Sequence, residues 1–522
     1  MSAPACPSAV PAVFVDAETG FTLDLTGMGI QPAQFATLAG PLAQAHAEMV
    51  RLEAGAIKNP DENRKVTHFS DRLVYADSSL FRDVEAFARD LAAAGEITQV
   101  LINGIGGSAL GPQLLQQAAH GPYWNDQSSA ARRGYPKIYF VDNTDSAGLT
   151  DALAVLDLAK TLAVTISKSG ATQETKNNML ALEARYRAAG IPFGPHAVAV
   201  TMPGSELDRY AHAGNWRKIF PMADSVGGRT SEINIVGHVP AALAGIDFAA
   251  LVAGARHMDE LTRQPDPARN PGYLLAAAWY LAGHGKGDRN MVVVPYSDRF
   301  GLMGKYLQQL VMESLGKEKD LDGKVVHQGL TVYGNKGGTD AHAYIQQLND
   351  GRDDFFAVFI EPLRDAADYP IDARLSMGDY LHGFKEGLVR ALTGKGRRAM
   401  EITLTAADVY NLGMLIALFE RAVAVYAELI HVNAFHQPGV QAYKLASKEV
   451  TVILGQLQDW LATPAAAAWR GSAAAAATAA GCPEQARTIA GWLDKAAVNG
   501  RPLAGRRITR AFVAGAWEYT VA

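Results

Sequence analysis

Cysteine is nearly missing from this chain: Cys6 and Cys482 are the only two among 522 residues. Two thiols so far apart in sequence make neither a disulfide framework nor a zinc cluster, and their scarcity fits a reducing compartment. A basic surplus is missing too. The net charge is −5 and the sequence pI about 6.2, which argues against nucleic acid or an anionic membrane surface as a partner. No run reaches the roughly 18–20 uninterrupted apolar residues of a membrane span; even the apolar segment 411–432 carries Glu420, Arg421 and Glu428. The opening MSAPACPSAVPAVFVDAETG lacks the basic start and long apolar core of a secretory signal. A cytoplasmic location is therefore expected. Neither a G-x-x-x-x-G-K-[ST] P-loop nor an H-x-x-E-H metal pattern occurs, so neither a nucleoside triphosphate nor a metal is indicated.

What remains is ordinary globular composition, 48% hydrophobic and 19% charged, in a chain too long for one core. Apolar, β-branched runs at Val100–Asn103, Ile138–Asp142, Leu162–Ser167, Ala197–Met202 and Trp216–Phe220 alternate with helical patterns near 110–119, 147–160, 172–189 and 205–213. Such alternation predicts βαβ units and a parallel sheet. The pattern restarts with helix 270–284, Met291–Tyr296, helix 301–316, Gln328–Tyr333, Phe355–Ile360, helix 377–394, Glu401–Thr405 and helices 407–431 and 438–462. Two α/β domains are expected, 1–260 and 261–462, followed by an alanine-rich appendage, 463–522.

Six places carry candidate chemistry. Strand Val100–Asn103 runs into Gly104-Ile105-Gly106-Gly107-Ser108-Ala109, formally the G-x-G-x-x-A dinucleotide fingerprint. The acid that ends the next strand, Asp142, lies 38 residues beyond Gly104, against about 20 in that fingerprint. The loop reads equally as a seat for another phosphate ligand or as a structural turn. The third strand breaks into Ser167-Lys168-Ser169-Gly170-Ala171-Thr172, hydroxyls and an ammonium at a helix start. An N-cap would explain it; so would an anion, which unpaired N–H groups and the helix dipole favour there. In helix 301–316, Glu313 falls at the edge of the stripe Leu302, Met303, Tyr306, Leu307, Leu310 and Val311. An apolar setting would raise its pKa and suit a general base, whereas a solvated Glu313–Lys317 pair at i,i+4 is the plain alternative. Arg229 in GGRTS, His342 in GTDAH and the segment Phe435–Lys444 each set a charged or titratable group beside a glycine-containing bend.

Read in order, GIGGSALGP, SKSGATQET, VGGRTS, MESLGK, GTDAHA and NAFHQPGVQAYK, spanning Asn103 to Lys444, resemble the successive motifs of the glucose-6-phosphate isomerase (phosphoglucose isomerase) family. The resemblance implies two sugar-isomerase-type (SIS) three-layer α/β domains with parallel-rich sheets. It implies a homodimer with active sites at the subunit interface and no cofactor or metal. The implied activity is the glycolytic and gluconeogenic interconversion of glucose 6-phosphate and fructose 6-phosphate by ring opening and proton transfer. By position, Gly107, Ser108, Ser167, Lys168, Ser169, Thr172 and Gln437 would serve the substrate phosphate. Glu313 would be the base, Arg229 its electrostatic partner, and His342, from the partner subunit in the family, with Lys444 the ring-opening pair.

The chain departs from the family pattern in several places. Thr230 follows Gly-Gly-Arg where an aromatic is usual, Leu315 replaces an asparagine, and Gly170-Ala171 replaces a bulky residue and a hydroxyl. His436 and Gln441 stand where Asp and Glu are common. No proposed catalytic group is lost, but the sugar pocket is altered. A dual glucose/mannose 6-phosphate isomerase, whose loop resembles Ser-x-Ser-Gly-x-Thr, and a non-catalytic sugar-phosphate-binding regulator are the alternatives.

Overall fold

The computed structural model describes residues 12–522, so Cys6 lies outside the described residues. They form two compact units, one ending at His436 and one spanning Gln437–Ala522.

In the first unit, strands Lys137–Val141, Gln99–Asn103, Thr161–Ile166, Ala197–Thr201 and Lys218–Pro221 lie side by side in that order, all parallel. The three strands from Gln99–Asn103 to Ala197–Thr201 are buried at every residue, as a parallel sheet covered on both faces requires. Gln99–Asn103 is first in the chain yet second in the sheet, so the strand order reverses between it and Thr161–Ile166. Open α/β sheets bind ligands at that reversal, beyond the carboxyl ends of the strands. The loops 104–106 and 167–172 leave from those two ends.

A second sheet repeats the arrangement. Strand Asn290–Pro295 lies between Val332–Tyr333 and Phe355–Arg364, with Arg398–Ala406 beyond, all parallel. Its far edge is an antiparallel hairpin, Val13–Asp16 and Phe21–Asp24, docked on Arg398–Ala406. The expected alternation of strands and helices is thus present in both sheets, and the hairpin adds to it.

Helix Val409–Leu429 runs through the core and is buried from Asn411 to Ala427, packed on Phe248–Thr262, Pro271–Ala282 and Ala39–Glu53. Its two buried charges are paired, as burial demands: Glu420 accepts from Arg72, and Arg421 donates to Glu53 at 2.6 Å and Asp259 at 3.1 Å.

The second unit has its own apolar core, with Leu457, Trp460, Leu461, Ile489, Leu493, Ile508, Tyr519 and Val521. It comprises helices Pro438–Ala462, Ala473–Ala479 and Ala486–Asn499 and a three-stranded antiparallel sheet, Arg470–Gly471, Ala516–Val521 and Ile508–Val513. The alanine-rich stretch forms the short helix, started by Ser472, whose hydroxyl accepts from the Ala475 N–H.

Candidate active site

Helix Gly107–His120 begins at the end of the first strand, with Gly106 before it in the left-handed region at φ 58°. Gly107 is buried, and a Cβ there would stand 1.6 Å from the Gly228 carbonyl oxygen. The first glycine loop therefore touches the Gly227-Gly228-Arg229 segment backbone to backbone. No larger residue leaves room for that contact.

At the end of the third strand, the Ser167 hydroxyl oxygen accepts the Gly170 N–H at 3.2 Å, and Ser169 accepts Ala171 N–H at 3.2 Å. A hydroxyl that accepts from its own loop still has its proton to donate. Thr172 precedes helix Gln173–Ala188 but makes no capping hydrogen bond with its side chain, so the capping account of this stretch lacks its bond. Gly170 has φ +74°, and a Cβ on it would lie 2.2 Å from the Leu207 nitrogen. The backbone thus dictates glycine where the family has a bulky residue.

Arg229 is 7% exposed. Its Nε donates to Ser314 Oγ at 2.7 Å, its Nη2 donates to the Ala434 and His436 carbonyls, and its Nη1 lies 3.4 Å from Glu313 Oε2. Burial lowers its pKa, opposed by the Glu313 charge. Gln309 Nε2 reaches the same Glu313 oxygen at 3.5 Å, and a Cβ on Gly106 would come within 3.0 Å of that amide nitrogen. Glu313, Gln309, Arg229 and the first glycine loop are therefore neighbours.

The expected single helix 301–316 is instead three pieces: Met303–Leu307, a π-helical turn Gln308–Met312, and Glu313–Leu315. The wider turn adds about one residue, which rotates the residues beyond it by about 100° against an α-helical stripe. Glu313 accordingly faces Arg229 and Gln309 rather than an apolar wall. The i,i+4 ion pair is not formed either: Lys317 Nζ donates to the Glu313 and Ser314 carbonyls, at 2.8 and 2.7 Å. Lys317 is buried, and burial, then the Arg229 charge, push its pKa down to about 7 against the pull of Glu313.

Sequence reasoning missed a layer behind Arg229. Arg64 donates to the Ser225 carbonyl at 3.2 Å and the Phe435 carbonyl at 2.9 Å, and Asn59 donates to the same Phe435 oxygen at 2.9 Å. The half-buried His68 nearby is held well below its ordinary pKa, by desolvation first and then by Arg72, Arg421, Arg64 and Arg229. Only N-x-x-E-x-R-x-x-x-H at 59–68 marks these residues in the sequence.

His342 is exposed at the end of the short turn Asp340–His342, and the hydrogen bonds around Arg229 and Glu313 do not include it. Gln437 and Lys444 belong to the second unit, at the start of helix Pro438–Ala462, where Lys444 is exposed. Ser108 is half-buried in the first turn of helix Gly107–His120. Among the described residues, no group of three or more His, Cys, Asp or Glu could hold a metal, and no helix is long and apolar enough to cross a membrane.

A family model described as phosphoglucose isomerase matches residues 51–377. The chain is 47% identical over 505 residues to the glucose-6-phosphate isomerase of Geobacter sulfurreducens, covering 93% of each chain. It is 45% identical to that of Synechococcus sp. JA-3-3Ab, covering 92% of each. A crystal structure of a glucose-6-phosphate isomerase from Chlamydia trachomatis shares the fold, with TM-score 0.76 at 24% identity, covering 84% of this chain and 90% of that one. A hypothetical protein from Thermus thermophilus superposes with TM-score 0.70 at 27% identity, covering 82% of this chain and 99% of that one.

Proposed function

The chain belongs to the phosphoglucose isomerase family, and from that premise we propose that it interconverts glucose 6-phosphate and fructose 6-phosphate through a cis-enediol. The observation that carries the reading is Glu313 Oε2 beside Arg229 Nη1 at 3.4 Å, next to the glycine loop that starts from the strand-order reversal. A carboxylate and a cation side by side next to that loop support proton transfer on an anionic substrate.

The phosphoryl group would sit on the loop Ser167–Thr172. There the Ser167 and Ser169 hydroxyls, whose oxygens accept loop amides, donate outward with Thr172. Gly107 and Ser108 contribute the start of helix Gly107–His120, whose dipole favours an anion. Gln437 would add a further contact. With the phosphate held, C1 and C2 meet Glu313. Its carboxylate takes the C2 proton of the open-chain aldose, and the C–H electron pair forms the C1–C2 double bond as the carbonyl pair moves onto O1; O1 then gains a proton, O2 gives one up, and the proton on Glu313 returns at C1 to give the ketose. Positioned proton transfer of this kind contributes about 10²–10⁴-fold. Arg229 offsets the charge that grows on the enediolate oxygens, where a preorganised cation acts most strongly. Ring opening needs one group to protonate the ring oxygen and another to take the hydroxyl proton; Lys444 and the partner subunit's His342 fill those roles in a homodimer. A cytoplasmic location completes the proposal.

The test is Glu313→Gln. The amide keeps the shape but cannot take a proton, so substrate binding should stay within a few-fold while exchange of the C2 proton with solvent stops. Exchange near the wild-type rate would remove Glu313 from the role of base.

A further inference from the structure

We infer that Lys168 is a positioning residue, whose ammonium ties the phosphate loop to the segment leading into Arg229 rather than gripping the phosphate itself. The inference rests on the isomerase reading and deepens it.

An ammonium has three N–H donors. Lys168 Nζ donates to the Asp224 carbonyl and faces the Val226 carbonyl at 3.5 Å and Asp224 Oδ1 at 2.9 Å. Three acceptors thus match its three donors. The carbonyl between them, on Ser225, accepts from Arg64 Nη1 at 3.2 Å. Three successive carbonyls, 224 to 226, are therefore held by two cations from separate parts of the chain. One residue beyond Val226 begins Gly227-Gly228-Arg229.

The base of the Lys168 tie is fixed as well. Its own carbonyl accepts from the Met202 N–H and the Thr201 hydroxyl, each at 3.1 Å, so Lys168 is anchored to the end of the neighbouring strand. The exposed ion pair with Asp224 contributes little alone, since such pairs are screened. The carbonyl bonds give the tie its direction. A phosphoryl group that settles on loop 167–172 would act through this rigid connection on the chain that carries Arg229, which contacts the reacting end of the sugar. A charge-only role would place Nζ toward the loop's outward hydroxyls. Here it turns to the backbone of a different loop.

Lys168→Met is the test, with turnover of glucose 6-phosphate and competitive inhibition by inorganic phosphate measured on the same protein. Since an error of about 1 Å in a catalytic group costs roughly 10² in rate, kcat should fall ten- to hundredfold, with the phosphate Ki rising less than threefold. Lys168→Arg, which can reach the same carbonyls, should recover most of kcat. A Ki rise larger than the kcat loss overturns the inference and makes Lys168 a phosphate ligand. If Lys168→Met does not fold, Asp224→Asn decides. A tie predicts kcat down a few-fold at constant Ki, whereas a released phosphate ligand predicts tighter phosphate binding. Wild-type protein without turnover of glucose 6-phosphate would refute the isomerase reading itself, a result separate from either ratio.

Discussion

Gly107→Ala is the sharpest perturbation of the site. The added Cβ would stand 1.6 Å from the Gly228 carbonyl oxygen and 2.5 Å from its carbon, where ordinary contact begins near 3.4 Å. Both partners are backbone, so no side chain can swing aside. One main chain must retreat by about 1.5–2 Å, and densely packed surroundings resist it. Overpacking of this kind costs about 1–3 kcal/mol, small enough for a chain of this size to stay folded. The functional loss should be larger, because Gly228 is bonded directly to Arg229. A misplacement of about 1 Å at a catalytic group is worth roughly 10² in rate, so kcat should fall about a hundredfold. A coupled assay of fructose 6-phosphate formation, run beside a melting curve, separates the two effects. Gly148→Ala, in helix Ser146–Val155 with nothing within 4 Å of its added Cβ, serves as the silent control. A cooperatively folded Gly107→Ala protein with kcat within threefold of wild type would refute the argument that the two glycine loops set the place of Arg229.

Gly170→Ala forces a left-handed φ of +74° on alanine and a clash with the Leu207 nitrogen at 2.2 Å. It should raise KM and the inorganic phosphate Ki about tenfold or more, and unchanged constants would contradict the placement of the phosphoryl group on this loop. Glu232, fully buried with both carboxyl oxygens lacking a partner among the described residues, has its pKa raised well above the usual range by burial and then by the Glu420 charge. Folding therefore keeps a proton that the unfolded chain releases above about pH 4.5, and stability falls as pH rises from there. Glu232→Gln should accordingly gain melting temperature relative to wild type at pH 8 and gain less or nothing at pH 5; a difference independent of pH would show the carboxyl ionised in both states.

The first sheet was the most legible part of the chain. Strands such as Thr161–Ile166 are buried at every residue, and a continuous β-branched run is how such a strand reads. The approach to Glu313 was not legible, because angular position assumes one pitch from start to finish, and the π-helical turn Gln308–Met312 has no compositional signature. Arg64 and Asn59 were missed for a different reason. Each is a single polar residue outside any periodic pattern, and both meet at the Phe435 carbonyl more than 370 residues along the chain. The edge hairpin was missed although Phe21–Asp24 alternates buried and half-buried residues, since four-residue strands give too short a period to count. The second unit begins at Gln437, where Pro438-Gly439 marks only the start of a helix; the compositional shift at Thr463 comes after that helix has ended.

The two sheets of the first unit explain why the site forms where it does. Each places its first strand between its second and third, and each sends that first strand into a helix: Gln99–Asn103 into Gly107–His120, and Asn290–Pro295 into the interrupted helix that carries Glu313. These two equivalent helices touch each other. The first copy keeps the glycines, and so its loop approaches Gly228 backbone to backbone. The second copy replaces that loop with Ser297-Asp298-Arg299-Phe300 and extends a helix of similar length toward the first copy's loop, where Gln309 meets Gly106. Arg229 closes the gap from the segment after the first sheet's last strand, Lys218–Pro221. Under the proposed chemistry this arrangement would divide the work by position: the first copy would supply the phosphate loop, and the second the base. A substitution in loop 167–172 would therefore alter only the first copy, leaving Gln309, Glu313 and Arg229 where they are.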